Sequence, residues 1–76
     1  MPTSENPKTF SVPGLASYRA RSGETLAELS ERSALSAAYL SRLERGLRRA
    51  SLGSLRLLAD VVPIEELGAF DAEVGD

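Results

Sequence analysis

The 76-residue chain predicts an all-α fold, a compact bundle of five short helices. Three observations carry that expectation. Apolar residues between Leu15 and about Leu67 recur at three- and four-residue intervals, the period of a helix. Serine, threonine and glycine stand between these runs where helix starts and stops need them. No alternating apolar–polar run of useful length is present to make a strand.

The first fourteen residues carry Pro2, Pro7 and Pro13, then Gly14, in mostly polar company, which reads as a flexible arm. The first helix spans about Leu15 to Arg21 and stops at Ser22-Gly23, glycine suiting the left-handed position after a helix. The second opens at Thr25, where Glu28 three residues on completes a T-x-x-E capping box, and ends near Ser33-Ala34. Ser36 caps the third, which runs to Arg45 and stops at Gly46. A fourth starts near Ser51 and carries Leu52, Leu55, Leu58, Ala59 and Val62 at helical spacing before Pro63. The stretch IEELGAF, Ile64 to Phe70, makes a short fifth. The expected organisation is an arm at 1–14, a helical domain at 15–68 and an acidic tail at 69–76.

Composition narrows the function. With no cysteine and no histidine, disulfide scaffolds and the usual zinc sites are excluded, and no metal or cofactor is expected. Helix packing or dimerisation must then stabilise a chain near the lower size limit for folding alone. An enzyme is not expected: there is no histidine or cysteine for general-base or nucleophilic work, no glycine-rich phosphate loop and no obvious paired-carboxylate cleft. The apolar runs are too short to span a bilayer, and MPTSENPKTF lacks the pattern of a secretory signal, so a cytoplasmic protein without membrane contact is expected.

The net charge of −2 conceals a strong asymmetry. Residues 36–56 set Arg42, Arg45, Arg48, Arg49 and Arg56 against Glu44 alone. Residues 57–76 hold Asp60, Glu65, Glu66, Asp71, Glu73 and Asp76 and no base. A basic middle of this kind is compatible with a DNA-binding face, because distribution matters more than the sum.

On a helical wheel, Leu40 and Leu43 mark the buried face of the third helix. Ala38, Ser41, Arg42 and Arg45 line the opposite face, with Ala37 beside them. Glu44 lies only ~40° from Leu40, on the flank of the core, where a carboxylate needs a partner. Arg19 has the same offset from Leu15 that Glu44 has from Leu40, which predicts a partly buried Arg19–Glu44 ion pair tying the first helix to the third.

The segment Leu15 to Ser30, L-x-x-Y-R-x-x-x-G-x-T-L-x-x-L-S, followed by S-A-L-S-A-A-Y-L-S-R-L-E-R-G-L-R-R-A-S-L-x-x-L-x-x-L-A from Ser33 to Ala59, resembles the XRE/Cro/phage-repressor helix-turn-helix family. The likeness covers about Leu15 to Leu67 and holds Arg19, Gly23, Thr25, Leu29, Leu35, Ser36, the Y-L-S-R-L-E-R-G run, Ser51-Leu52 and Leu58-Ala59 in register. It implies a lambda-repressor-like five-helix domain, no catalysis, cytoplasmic binding to an operator in double-stranded DNA and usually a homodimer. It also implies the Arg19–Glu44 pair. Helix two would lie across the DNA backbone and helix three would enter the major groove. Ala37, Ala38, Ser41 and Arg42 fall where the family reads bases. Thr25, Arg45, Arg48 and Arg49 fall where it meets phosphate, and Ser36 and Tyr39 are candidates for further backbone contacts.

Five positions depart from the family pattern. Leu26 stands where a glutamine often buttresses a phosphate, Ala34 where the tight turn has glycine, and Ala50 where proline often precedes helix four. Ala37 and Ala38 can touch a thymine methyl but cannot hydrogen-bond a base edge, so Arg42 is the strong direct reader, worth ~1–3 kcal/mol of discrimination at a guanine. The expected function is a dimeric, sequence-specific transcription regulator on a palindromic operator: a phage-type repressor, a restriction-modification controller or an antitoxin-type autoregulator. The alternative is a protein-interaction module that uses the acidic C-terminal segment, where Ile64, Leu67, Phe70 and Val74 share helical spacing and offer a dimer or partner contact. An exposed Phe70 favours an interface there; one folded back on the fourth helix does not.

Overall fold

Side-chain caps open the second, third and fourth helices, and left-handed residues close the first, second and fifth, satisfying backbone groups that a helix end leaves free. The computed structural model describes residues 9–71. Helix α1 (Leu15–Ser22) ends at Gly23, whose φ of 74° lets its N–H reach the Arg19 carbonyl. Helix α2 (Leu26–Ser33) opens on the complete capping box: Thr25 Oγ1 accepts from the Glu28 N–H at 3.1 Å, and Glu28 Oε1 accepts from the Thr25 N–H at 2.9 Å. Helix α3 (Ala37–Glu44) is capped by Ser36, which accepts from the Tyr39 N–H, and α4 (Leu52–Ala59) by Ser51, which accepts from the Ser54 N–H. Helix α5 (Ile64–Leu67) is a single turn.

These helices converge on one core of Val12, Leu15, Leu29, Leu40, Leu43, Ala50, Leu55, Leu58, Val62 and Leu67. The leucines enter it from five helices, and the pairs Leu40–Leu43 of α3 and Leu55–Leu58 of α4 have the three-residue spacing of one helical face. Leu15, Leu29, Leu40, Leu58 and Leu67 are completely buried. Each contributes about 1.5–3 kcal/mol by leaving water, which is how a chain without staples holds together.

The all-α expectation needs one correction. Thr9–Ser11 (β1) pairs antiparallel with Ala50–Ser51 (β2) on one side and with Phe70–Asp71 (β3) on the other, in the order β2-β1-β3. The registers are Thr9 with Ser51, Phe10 with Ala50, Phe10 with Asp71 and Ser11 with Phe70. Strands of two or three residues are too short to show a period, so the pairing arises from where the helices deliver the chain. Residues 9–14, expected in the arm, are thereby drawn into the folded unit. Residues 1–8 and 72–76, Val74 among them, lie outside the described residues.

The fifth helix is also shorter than its spacing suggests. Gly68, at φ 61°, terminates it after Leu67, and the chain turns back to pair Phe70 with β1. Gly14 permits this return: its N–H donates to the Leu67 carbonyl at 2.8 Å, and a Cβ there would overlap the Glu66 carbonyl oxygen. Arg21 and Glu66 add an exposed ion pair between α1 and α5. Among the described residues, no helix is long and apolar enough to cross a membrane.

Candidate nucleic-acid interface

Helices α2 and α3 meet across a turn held by local hydrogen bonds. The Ala34 N–H donates to the Ser30 carbonyl at 2.9 Å, Ser30 Oγ donates to the Leu35 carbonyl at 2.6 Å, and buried Ser33 Oγ accepts from the Leu35 N–H at 3.2 Å. Ala34 sits at φ 65°, ψ 17°, the left-handed region where a Cβ is strained by roughly 1–2 kcal/mol. The surrounding hydrogen bonds hold it there. Arg32 ties the end of α2 to the end of α4 by donating to the Val61 carbonyl at 2.8 Å, while its Nη1 pairs with Glu24. The Glu24 carboxylate, hydrogen-bonded to it, raises the Arg32 pKa further above its ordinary value.

Helix α3 is oriented by a bidentate pair. Arg19 Nε and Nη2 donate to Glu44 Oε2 and Oε1 at 2.6 and 3.0 Å. The Glu44 side chain is 9% exposed and that of Arg19 27%, so the pair lies half inside the core wall. Hydrogen bonding to Glu44 raises the Arg19 pKa, and the Arg19 Nη1 group also donates to the Glu24 carbonyl at 3.2 Å. Leu40 and Leu43 are buried on the inner face of α3. On its outer surface Ala38 and Arg42 are exposed, with Ala37 and Ser41 half-buried beside them. The four residues expected from the sequence to read bases thus form one helix surface, with a single cation and no other charge.

The chain after α3 forms an arginine loop. Gly46, at φ 75°, turns it, the Leu47 N–H bonds back to the Arg42 carbonyl, and fully buried Ala50 anchors its far end through the pairing of β2 with β1. Arg45, Arg48 and Arg49 are exposed. Arg45 Nε leans back on the Ser41 carbonyl at 3.4 Å, and the Arg48 guanidinium lies over the Tyr39 ring, 5.4 Å from its centroid. Tyr39 itself is half-buried, packs against the core and donates its hydroxyl to Ser54 Oγ at 3.0 Å. Its polar tip, a candidate for DNA contact by sequence, is already bonded inside the protein.

The remaining candidates divide. Thr25 and Ser36 are exposed at the N-termini of α2 and α3, each accepting a backbone N–H, so only their hydroxyl hydrogens remain to donate to a phosphate. Glu28 places a carboxylate beside Thr25, which opposes an anion at that helix end. Leu26 packs half-buried against the core. Ile64, Leu67 and Phe70 do not share an outer face. Leu67 fills the core of its own domain, whereas Ile64 (48% exposed) and Phe70 (56%) project from α5 and β3. Helical spacing failed there because Gly68 ends the helix between them.

Two residues at the interface escaped the sequence reading. Leu47, 65% exposed within the arginine loop, has no periodic neighbour to mark it. Ser54 reads only as the third residue of α4, and its bond to Tyr39 joins residues fifteen apart.

A family model described as a helix-turn-helix domain matches residues 15–65 of the chain. The match spans the two helices and turn described above, together with α1, α4 and the start of α5. No curated protein and no solved structure matches. Helix α2, the turn at Ala34 and helix α3 with its outward Arg42 are the parts from which such domains are named, and the chain belongs to the helix-turn-helix domain family.

Proposed function

We propose that this domain is a sequence-specific transcription regulator that acts in the cytoplasm as a dimeric repressor or autoregulator on a palindromic operator. The observation that carries the reading is the outer face of α3, where Arg42 stands as the only charge among Ala37, Ala38 and Ser41. Such a surface suits a major groove: the small residues allow close approach to thymine methyls, and the guanidinium has the bidentate geometry for guanine N7 and O6. Arg45, Arg48 and Arg49, with Thr25 and Ser36 at two helix ends, supply the backbone contacts that set register. Three loop arginines per protomer correspond to a log Kobs against log salt slope of about −5 for a dimer.

The test is selection of bound duplexes from a randomised pool at moderate salt. An enriched palindrome with a guanine in each half-site, lost in Arg42→Ala, is the expected result. Weak, salt-sensitive retention without enrichment refutes base reading by this helix.

The exposed Phe70 favours a second reading, a module that binds protein through its C-terminal segment. Ile64 and Phe70 are then the contacts, on a twin subunit or on another protein. Under that reading Arg42→Ala leaves partner binding intact, and Phe70→Ser removes it.

A further inference from the structure

We infer that Tyr39 is a positioning residue whose ring, packed against the core, holds the Arg48 guanidinium ready for a DNA phosphate; this rests on the DNA-binding reading above. The ring is fixed at both ends. Its body packs against the core, and its hydroxyl donates to Ser54 Oγ at 3.0 Å, which also accepts from Ser51 Oγ at 3.2 Å. The loop that carries Arg48 is likewise fixed at both ends, by Gly46 in the left-handed conformation and by buried Ala50 in β2. Between these anchors the guanidinium rests 5.4 Å from the ring centroid, within cation–π range.

The way Arg48 is held differs from the way the structural arginines are held. Arg19, Arg21 and Arg32 are paired with Glu44, Glu66 and Glu24, which neutralise their charge and occupy their donors. Stacking on an aromatic face does neither. It restrains the long side chain while leaving its full charge and its N–H groups for an anion. An arginine restrained in this way has already lost part of the rotational freedom that phosphate binding would otherwise remove. Tyr39 therefore acts on DNA through Arg48, not through its own hydroxyl.

The experiment measures affinity of the full chain for a duplex probe as a function of salt, for wild type, Arg48→Ala, Tyr39→Leu, the double variant and Tyr39→Phe. It is accompanied by the NMR shifts of the Arg48 side-chain protons without DNA. Arg48→Ala is expected to reduce the magnitude of the salt slope by about 1 per protomer. Tyr39→Leu weakens binding by about two- to fivefold, the worth of a partly exposed cation–π contact. The double variant binds like Arg48→Ala alone, and Tyr39→Phe, which keeps the ring, stays within about twofold of wild type. Free Arg48 shows upfield ring-current shifts that Tyr39→Leu abolishes. Losses that multiply in the double variant, or an Arg48 without those shifts, overturn the inference and leave the DNA-binding reading standing. A wild-type chain that binds no duplex at low salt refutes the DNA-binding reading on which this inference rests, and Arg48 ring-current shifts that persist then show the stacking itself to be intact.

Discussion

Replacing Ala34 by glycine should stabilise the protein, although glycine normally weakens a fold. Ala34 is exposed, so no packing is lost, and its φ of 65° puts its Cβ against the following carbonyl. Removing that strain returns roughly 1–2 kcal/mol. Glycine gives back part of this through the greater freedom of the unfolded chain, about 0.5–1 kcal/mol. The net gain is about 0.5–1 kcal/mol, or a melting temperature higher by roughly 2–8 °C for a domain of this size. The hydrogen bonds of Ser30 and Ser33 around the turn involve no Ala34 side-chain atom and should persist. Thermal melts followed by circular dichroism provide the assay, with Ala20→Gly as the internal comparison. Ala20 is exposed within α1 and has no strain to relieve, so the same chemical change should cost about 0.5–1 kcal/mol there. Opposite signs at the two positions are the signature of backbone strain. If Ala34→Gly melts below wild type, the left-handed turn is not a strained feature and the reasoning fails.

Three further outcomes are expected. Glu44→Ala should lose about 1–3 kcal/mol in chemical denaturation, between an exposed pair and a fully buried one because Arg19 keeps contact with water, whereas exposed Glu31→Ala should lose under about 0.5; equal losses would dismiss the pair as a structural tie. Glu28→Gln retains an acceptor for the Thr25 N–H and removes a charge from the end of α2 proposed to face phosphate, so DNA affinity should rise about two- to fivefold with little change in melting temperature. Between about pH 6 and 9 the melting temperature should stay nearly flat: the chain has no histidine or cysteine, and arginines with raised folded pKa values keep their contribution below the unfolded value and lose it only as pH rises through the folded one, well above this window. A midpoint falling by more than about 5 °C across that range would contradict this.

Features with local causes are legible in the order of the residues. Caps at Thr25, Ser36 and Ser51 and left-handed glycines at Gly23 and Gly46 act within one turn of where they stand, so these helix ends are legible from residue types. The buried face of α3 follows from a period of 3.6, and with it the outward Arg42 and the flanking Glu44 opposite Arg19. Tertiary structure alone decided what depends on the meeting of distant segments. The three-stranded sheet joins pieces of two or three residues from both ends of the described chain and its middle, none long enough to carry a period. Leu67 and Phe70 have the same spacing as a helical pair, but the turn at Gly68 sends one into the core and leaves the other on an edge strand. Tyr39 shows the same division: its place on α3 is local, but its hydroxyl finds Ser54 and its ring finds Arg48 only after α4 and the arginine loop have packed around it. Helical register is written within one turn of the chain, whereas a contact between elements depends on how the whole core packs.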